Sequence, residues 1–157
     1  MAALTPNAHN HAALDELASR HVRISDLPWE QTRFPGVETK TLLLDRQNGL
    51  VTALVRMAPG AELPDHEHVL IEQTYMLEGR LVDRDGADAG LSVGPGDFVW
   101  RPAGSRHSAW TPEGGLMLAV FQIPNKFFDD AGRAIDMLGQ DWNASWANTL
   151  SGAPAAR

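Results

Sequence analysis

The chain has 157 residues, with 13 basic and 20 acidic side chains and a formal net charge of −7. That length suits one domain able to bury a core without staples, and the absence of cysteine excludes disulfides, thiolate metal centres and zinc fingers. An acidic balance without a basic stripe repels phosphate backbones, so nucleic acid is not an expected partner.

No apolar run approaches the roughly 18 residues of a membrane span. The start, Met1-Ala-Ala-Leu-Thr-Pro, lacks the basic region and apolar stretch of a secretory leader. A cytoplasmic protein without membrane contact is therefore expected. Residues 1–35 read as an arm, in which Ala12–His21 carries Leu14 and Leu17 three apart, the spacing of a short helix with one apolar stripe. His9 and His11 lie in Pro/Asn-rich sequence and read as solvated. A barrel is expected over 36–125, beginning with strands at Thr39–Leu44 and Leu50–Met57 joined through the hairpin dipeptide Asn48-Gly49. Further strands are predicted at Gln73–Leu77, Leu81–Asp83, Leu91–Val93, Phe98–Arg101, Ser108–Trp110 and Leu116–Ile123, with Gly, Pro and Asp between them. Short, evenly spaced strands of this kind build an all-β barrel or jelly roll. Asp83, Asp85 and Asp88 lack the offsets and closing Glu of a calcium loop and read as a turn. Residues 126–157 form an extension with a helix predicted near Asp141–Thr149, which sets Trp142 and Trp146 on one face. Packing on the barrel and a subunit interface are both open to that face.

Two stretches carry the chemistry: Gly60-x5-His66-x-His68-x3-Glu72-x6-Gly79 and Gly96-x5-Pro102-x-Gly104-x2-His107. Imidazole and carboxylate suit a borderline divalent metal where no thiolate is offered. His66 and His68, two apart on a strand, point to the same face. A lone strand histidine is more often an ordinary core or surface residue. Three of them with a glutamate, at fixed offsets among turn glycines, reverse that reading.

These stretches resemble the paired motifs of the cupin superfamily over residues 60–111, with Thr111 where an asparagine is common. The resemblance implies an RmlC-like double-stranded β-barrel of jelly-roll type with short helical N- and C-terminal segments. It also implies one divalent metal ion per chain held by His66, His68, Glu72 and His107, iron(II) being favoured and manganese, nickel or zinc able to replace it. Four protein ligands of six leave two positions for chemistry, and Glu72 could release the ion and act as a catalytic base. The run Pro59–His68 resembles two kinds of small cupin in particular: dioxygenases that cleave diketones or aryl ketones, and the zinc-binding cupin domain of anti-sigma factors. The expected function is thus an oxygen-dependent dioxygenase acting on a small diketone or aryl ketone. A non-catalytic metal-dependent binding or sensor module, and a metal-dependent isomerase or decarboxylase, stand as alternatives. Strand parity groups Thr74 and Met76 with Glu72, and Ala109 and Thr111 with His107. Phe98 and Trp100 share one face and are expected to line the substrate pocket, with Met57, Gln73 and Met76. Because the family commonly pairs barrels, and Phe127, Phe128, Trp142 and Trp146 supply apolar weight beyond the motifs, a homodimer is the expected assembly.

Overall fold

A computed structural model describes residues 3–151 of the chain. Along it run β1 (Glu30–Gln31), β2 (Val37–Asp45), β3 (Leu50–Met57), β4 (Glu62–Glu67), β5 (Glu72–Gly79) and β6 (Leu81–Asp83). There follow β7 (Ser92–Val93), β8 (Phe98–Arg101), β9 (Arg106–Trp110), β10 (Gly115–Phe121), β11 (Lys126–Phe128), β12 (Ala134–Ile135) and the α-helix α1 (Trp142–Ser151). They form two six-stranded antiparallel sheets, ordered β1-β2-β3-β10-β5-β8 and β12-β11-β4-β9-β6-β7. Consecutive strands cross repeatedly between the sheets, which is the jelly-roll solution to an all-β chain.

The alternation that makes these strands also assigns their faces. In β10, Met117, Ala119 and Phe121 are buried while Leu116, Leu118 and Val120 are half-exposed, the period of two that a strand requires. The same rhythm in β5 buries Thr74 and Met76 and exposes Gln73, Tyr75 and Leu77. The inward sets meet in one core that includes Val55, Met57, Met76, Met117 and Phe127. The β2–β3 hairpin turns over four residues, 46–49, with the Asp45 carboxylate accepting the Asn48 N–H at 3.1 Å and Gly49 at φ +74°. Gly79 ends β5 at φ +71°, where any Cβ would collide with the Gly114 carbonyl, so this corner of the barrel closes only on glycine.

The predicted helix over Ala12–His21 does not form. That stretch is a series of turns, and among the described residues of the arm the only helical turn is a 3-10 turn at Ile24–Asp26. Leu17 is 92 % exposed and Leu14 40 %: two leucines make no face that the barrel can cover, and a helix this short is marginal without such cover. The arm is held instead by backbone pairing of Leu4 with Leu44 and by the Lys40 ammonium donating to the Ile24 carbonyl at 3.0 Å. Arg56 lies over the Trp29 ring at 4.0 Å beside it.

The C-terminal helix does form, one residue later than predicted at its start. Asp141 caps it, its carboxylate accepting the Ala144 N–H at 2.9 Å. Trp142 and Trp146, four apart, are buried against Ile123, Leu44, Val51 and Val69, and the Trp142 indole N–H donates to the Pro124 carbonyl at 2.8 Å. Packing on the barrel thus accounts for both tryptophans. Phe127 is also buried and Phe128 half-buried, so the apolar surface expected to carry a homodimer is not where the sequence suggested. Tyr75, Leu77, Phe98 and Trp100, by contrast, are large apolar side chains left exposed together on the outer side of β5 and of the edge strand β8. No helix among the described residues is long and apolar enough to cross a membrane.

Candidate metal centre

His66 sits directly opposite His107 in the β4–β9 register. Getting it there takes a bulge. The register shifts between Leu63 and His66, so Pro64 and Asp65 both stay exposed while Leu63 and His66 both face inward. Proline has no N–H to lose from the ladder and is suited to such a position. His68 follows just beyond the strand end, two residues on and therefore on the same face, with its N–H donating to the Ser105 carbonyl at 2.9 Å. The three rings form a near-equilateral triangle, with centroid separations of 4.9 Å (His66–His68), 4.7 Å (His66–His107) and 5.0 Å (His68–His107). All three are buried, and one nitrogen from each lies within 4.8 Å of the others.

In every ring, Nδ1 faces an acceptor. For His66 it is the Pro64 carbonyl at 2.7 Å, the bulge thus orienting the ring that it places. For His68 it is Glu72 Oε2 at 2.9 Å, and for His107 it is Asp83 Oδ2 at 3.0 Å. The two carboxylates lie off the line of a ring N–H, so neither His68 Nδ1 nor His107 Nδ1 has an aligned hydrogen-bond partner. This leaves the Nε2 atoms as the nitrogens available to an ion, and the buried His68 Nε2 has no partner in the protein. Three converging imidazoles, their far nitrogens held by carbonyl or carboxylate, and an orphaned buried nitrogen together fit a divalent metal. Burial, followed by the neighbouring His68 and His107, pushes the His66 pKa from 6.5 down to about 3. His66 is thus in the neutral form that a metal requires.

Glu72, the fourth expected ligand, lies outside the group of three histidines but lines the same cavity, with its Oε2 2.9 Å from His68 Nδ1. Its Oε1 accepts from the Thr74 hydroxyl at 3.0 Å and its Oε2 from the Asn125 amide at 2.7 Å. Burial raises its pKa, but the His68 contact outweighs that, with help from Asn125, and leaves the carboxyl at about 2. Behind His107, Asp83 and Arg101 form a bidentate pair at 2.5 and 2.9 Å, with side chains only 1 % and 6 % exposed. Burial opposes ionisation of Asp83; the His107 and Arg101 contacts prevail and hold its pKa below the usual range. One carboxylate therefore orients a candidate ligand and neutralises a buried guanidinium.

The residues expected to form the pocket wall divide. Phe98 and Trp100 are 57 % and 56 % exposed and point outward, against expectation. The β5–β8 register pairs Glu72 with Arg101 and Thr74 with Val99, so facing positions on the two strands lie on one side of the sheet, and Val99 and Arg101 take the inner one. Gln73 is exposed for the same reason. Parity places the two rings on one face without saying which face is inner. Met57 and Met76 are inside but belong to the packed core, not to the cavity wall. The cavity against the histidines measures about 20 Å³ and is bounded by His66, Glu72, Arg101, His107, Ala109 and Asn125 among others. Asp83, Arg101 and Asn125 were not anticipated as site residues. Alternation from buried Leu81 could have flagged Asp83, whereas nothing near Pro124 marks Asn125.

With the geometry established, comparison with known proteins places the chain. The family described as ChrR cupin-like domain matches residues 18–126. No curated protein sequence matches. Among solved structures, an acetylacetone dioxygenase from Acinetobacter johnsonii aligns with TM-score 0.68 and 21 % identity, over 88 % of this chain and 95 % of that one. An RmlC-like cupin from Ralstonia eutropha aligns with TM-score 0.62 and 21 % identity, over 85 % and 87 %. The polyketide cyclase RemF from Streptomyces resistomycificus aligns with TM-score 0.56 and 26 % identity, over 66 % and 78 %. At such identities the likeness to the first two is one of fold.

Proposed function

The chain belongs to the ChrR cupin-like domain family, and from that premise we propose that it is a mononuclear metal-dependent cupin enzyme that oxygenates a small diketone or aryl ketone. The observation that carries the reading is the triangle of buried imidazoles, His66, His68 and His107, each with its Nδ1 beside a carbonyl or carboxylate oxygen. An open imidazole centre beside a cavity is the default active-site hypothesis. The fold shared with an acetylacetone dioxygenase supports the choice of substrate by analogy.

When bound, a divalent ion of the iron or manganese kind supplies Lewis acidity and a template for an oxygen-donor substrate. The chain does the rest. His66 is kept unprotonated by burial, so it is ready to donate its lone pair at neutral pH. Glu72 stays ionised, fixed by Thr74 and Asn125. Its part is to orient His68 and to offset positive charge; a base with so low a pKa is poorly matched to removing a proton near neutrality. Asp83 orients His107 in the same way, and its pairing with Arg101 keeps that cation from repelling an ion at the centre.

The test is oxygen uptake by iron-loaded protein across acetylacetone and a panel of aryl ketones and diketones. Uptake above background, lost in His107→Ala, supports the reading. Background rates across the panel sink it. The small volume beside the histidines, about 20 Å³, favours a second reading, a metal-dependent binding or sensor module. That reading is upheld if ligands bind in proportion to metal content and no oxygen is consumed.

A further inference from the structure

A cavity of about 20 Å³ holds little more than an ion or one water, each water needing on the order of 10–15 Å³. Whatever polar group reaches the imidazoles, the body of its molecule must lie elsewhere. A second cavity, of about 110 Å³, adjoins the first and shares Val55, Phe121, Asn125 and Met137 with it. Its walls come from two sources. Sheet residues Val51, Ala53 and Phe121 form one side, and Phe127, Met137 and Trp146 of the C-terminal extension form the other. Exposed Arg46, Leu138 and Gln140 stand at its rim, whereas Asn125 at its inner end donates to Glu72. The cavity thus runs from solvent toward the metal centre.

The extension is braced rather than draped. Asp136, buried, accepts the backbone N–H of Leu138 at 3.0 Å and of Gln140 at 2.9 Å, fixing the turn that carries the rim. Phe127 stacks on His66 at 4.7 Å, so one ring belongs to both the chamber and the metal centre. Apolar chambers of about 150 Å³ take up benzene. At 110 Å³ this one suits a single ring or a short branched alkyl group.

We propose that this chamber, between the first sheet and the C-terminal extension, is the substrate subsite. It receives an apolar, ring-sized substituent while the oxygen-bearing end of the same molecule passes Asn125 to the imidazoles. The choice of an oxygen-bearing end rests on the function proposed above; the apolar occupant does not. The extension then serves as half of the specificity pocket, and ketones bearing a phenyl group are preferred over those with methyl groups alone.

The experiment compares two diketones with the same chelating oxygens, acetylacetone and benzoylacetone, by calorimetry on zinc-loaded protein. Toluene is tested in parallel on metal-free protein by thermal shift, since a ligand that binds only the folded state raises its melting temperature. Wild type should bind benzoylacetone at least about tenfold more tightly than acetylacetone, a difference of about 1.4 kcal/mol, and toluene should stabilise it. Ala53→Leu fills the chamber from the buried sheet face and Thr41→Leu from a half-buried position, so the second remains informative should the first fold poorly. Both should abolish the toluene shift and the phenyl preference, with zinc content unchanged. Equal affinity for the two diketones in wild type overturns the proposal. So does a phenyl preference that survives both fillings, and so does the absence of any toluene shift in wild type. If neither diketone binds but toluene still stabilises wild type and neither filled variant, the chamber stands and the diketone reading falls.

Discussion

Replacing Asp83 with asparagine should do more damage than its distance from any proposed substrate suggests. The substitution keeps shape and removes one charge from a pair whose side chains are 1 % and 6 % exposed. Arg101 is then left ionised in the barrel interior, opposite Glu72 in register but without its bidentate partner. Breaking a buried pair in this way costs about 3–5 kcal/mol, because the orphaned charge keeps its desolvation penalty. For a chain of this size about 1 kcal/mol corresponds to roughly 2–4 °C in melting temperature, so Asp83→Asn should lower it by about 6–20 °C. The assay is thermal and urea unfolding of metal-free protein, which separates the fold from the metal. The double variant Asp83→Asn/Arg101→Met should recover most of the loss, since an apolar side chain of similar length has no charge to strand. Asp83 also holds His107 at 3.0 Å. Metal affinity of Asp83→Asn should therefore fall about 10–100-fold, the usual effect of losing such a partner. A single variant within about 1 kcal/mol of wild type, or a double variant showing simple additivity, would refute the assignment of Asp83 as the buried keystone of both contacts.

Glu72→Gln should retain most of its bound metal, because the three imidazoles remain, while turnover or ligand affinity changes with the lost charge; complete metal loss would instead make Glu72 a direct ligand. Metal-free protein should lose stability on acidification. His66 has its pKa lowered from 6.5 to about 3 in the folded chain, so between those values only the unfolded chain takes up the proton. Stability is thus present above pH 6.5 and falls as the pH drops toward 3, by up to about 1.4 kcal/mol per pH unit from this group. Glu72, at about 2 folded against 4.5, acts in the same direction at lower pH. Urea midpoints at pH 7, 5.5 and 4.5 should fall in that order, and a flat series would contradict the burial of a neutral His66. The proposed homodimer, deprived of its tryptophans, would draw on the exposed Tyr75, Leu77, Phe98 and Trp100. Light scattering should then give two chains for wild type and one for Phe98→Glu/Trp100→Glu, and a monomeric wild type at micromolar concentration removes the proposal.

Most of the barrel could be read from the chain because its signals are local. The turn dipeptide Asn48-Gly49, the glycines at fixed offsets and the two-residue alternation of β5 and β10 each act within a few residues. His66 and His68 were legible for the same reason, as spacing plus strand parity, while His107 was placed with them by the resemblance of the second motif. What parity does not give is which face is inner. For β8 that is decided by hydrogen-bond register with β5, a non-local fact, and it sent Arg101 inward and Trp100 outward. The bulge at Pro64-Asp65 and the approach of Asn125 to Glu72 are likewise tertiary. The arm shows the converse failure: local spacing at Leu14 and Leu17 suggested a helix, but no partner surface covers it.

The central claim is that His66, His68 and His107 hold one divalent metal ion. Its most direct test is the stoichiometry of cobalt(II) or zinc binding to metal-stripped protein, measured by calorimetry and elemental analysis on wild type and on the three single alanine variants. The account predicts one ion per chain for wild type and none retained after gel filtration in His66→Ala, His68→Ala or His107→Ala. Wild-type stoichiometry persisting in any of the three would contradict it and place the metal elsewhere.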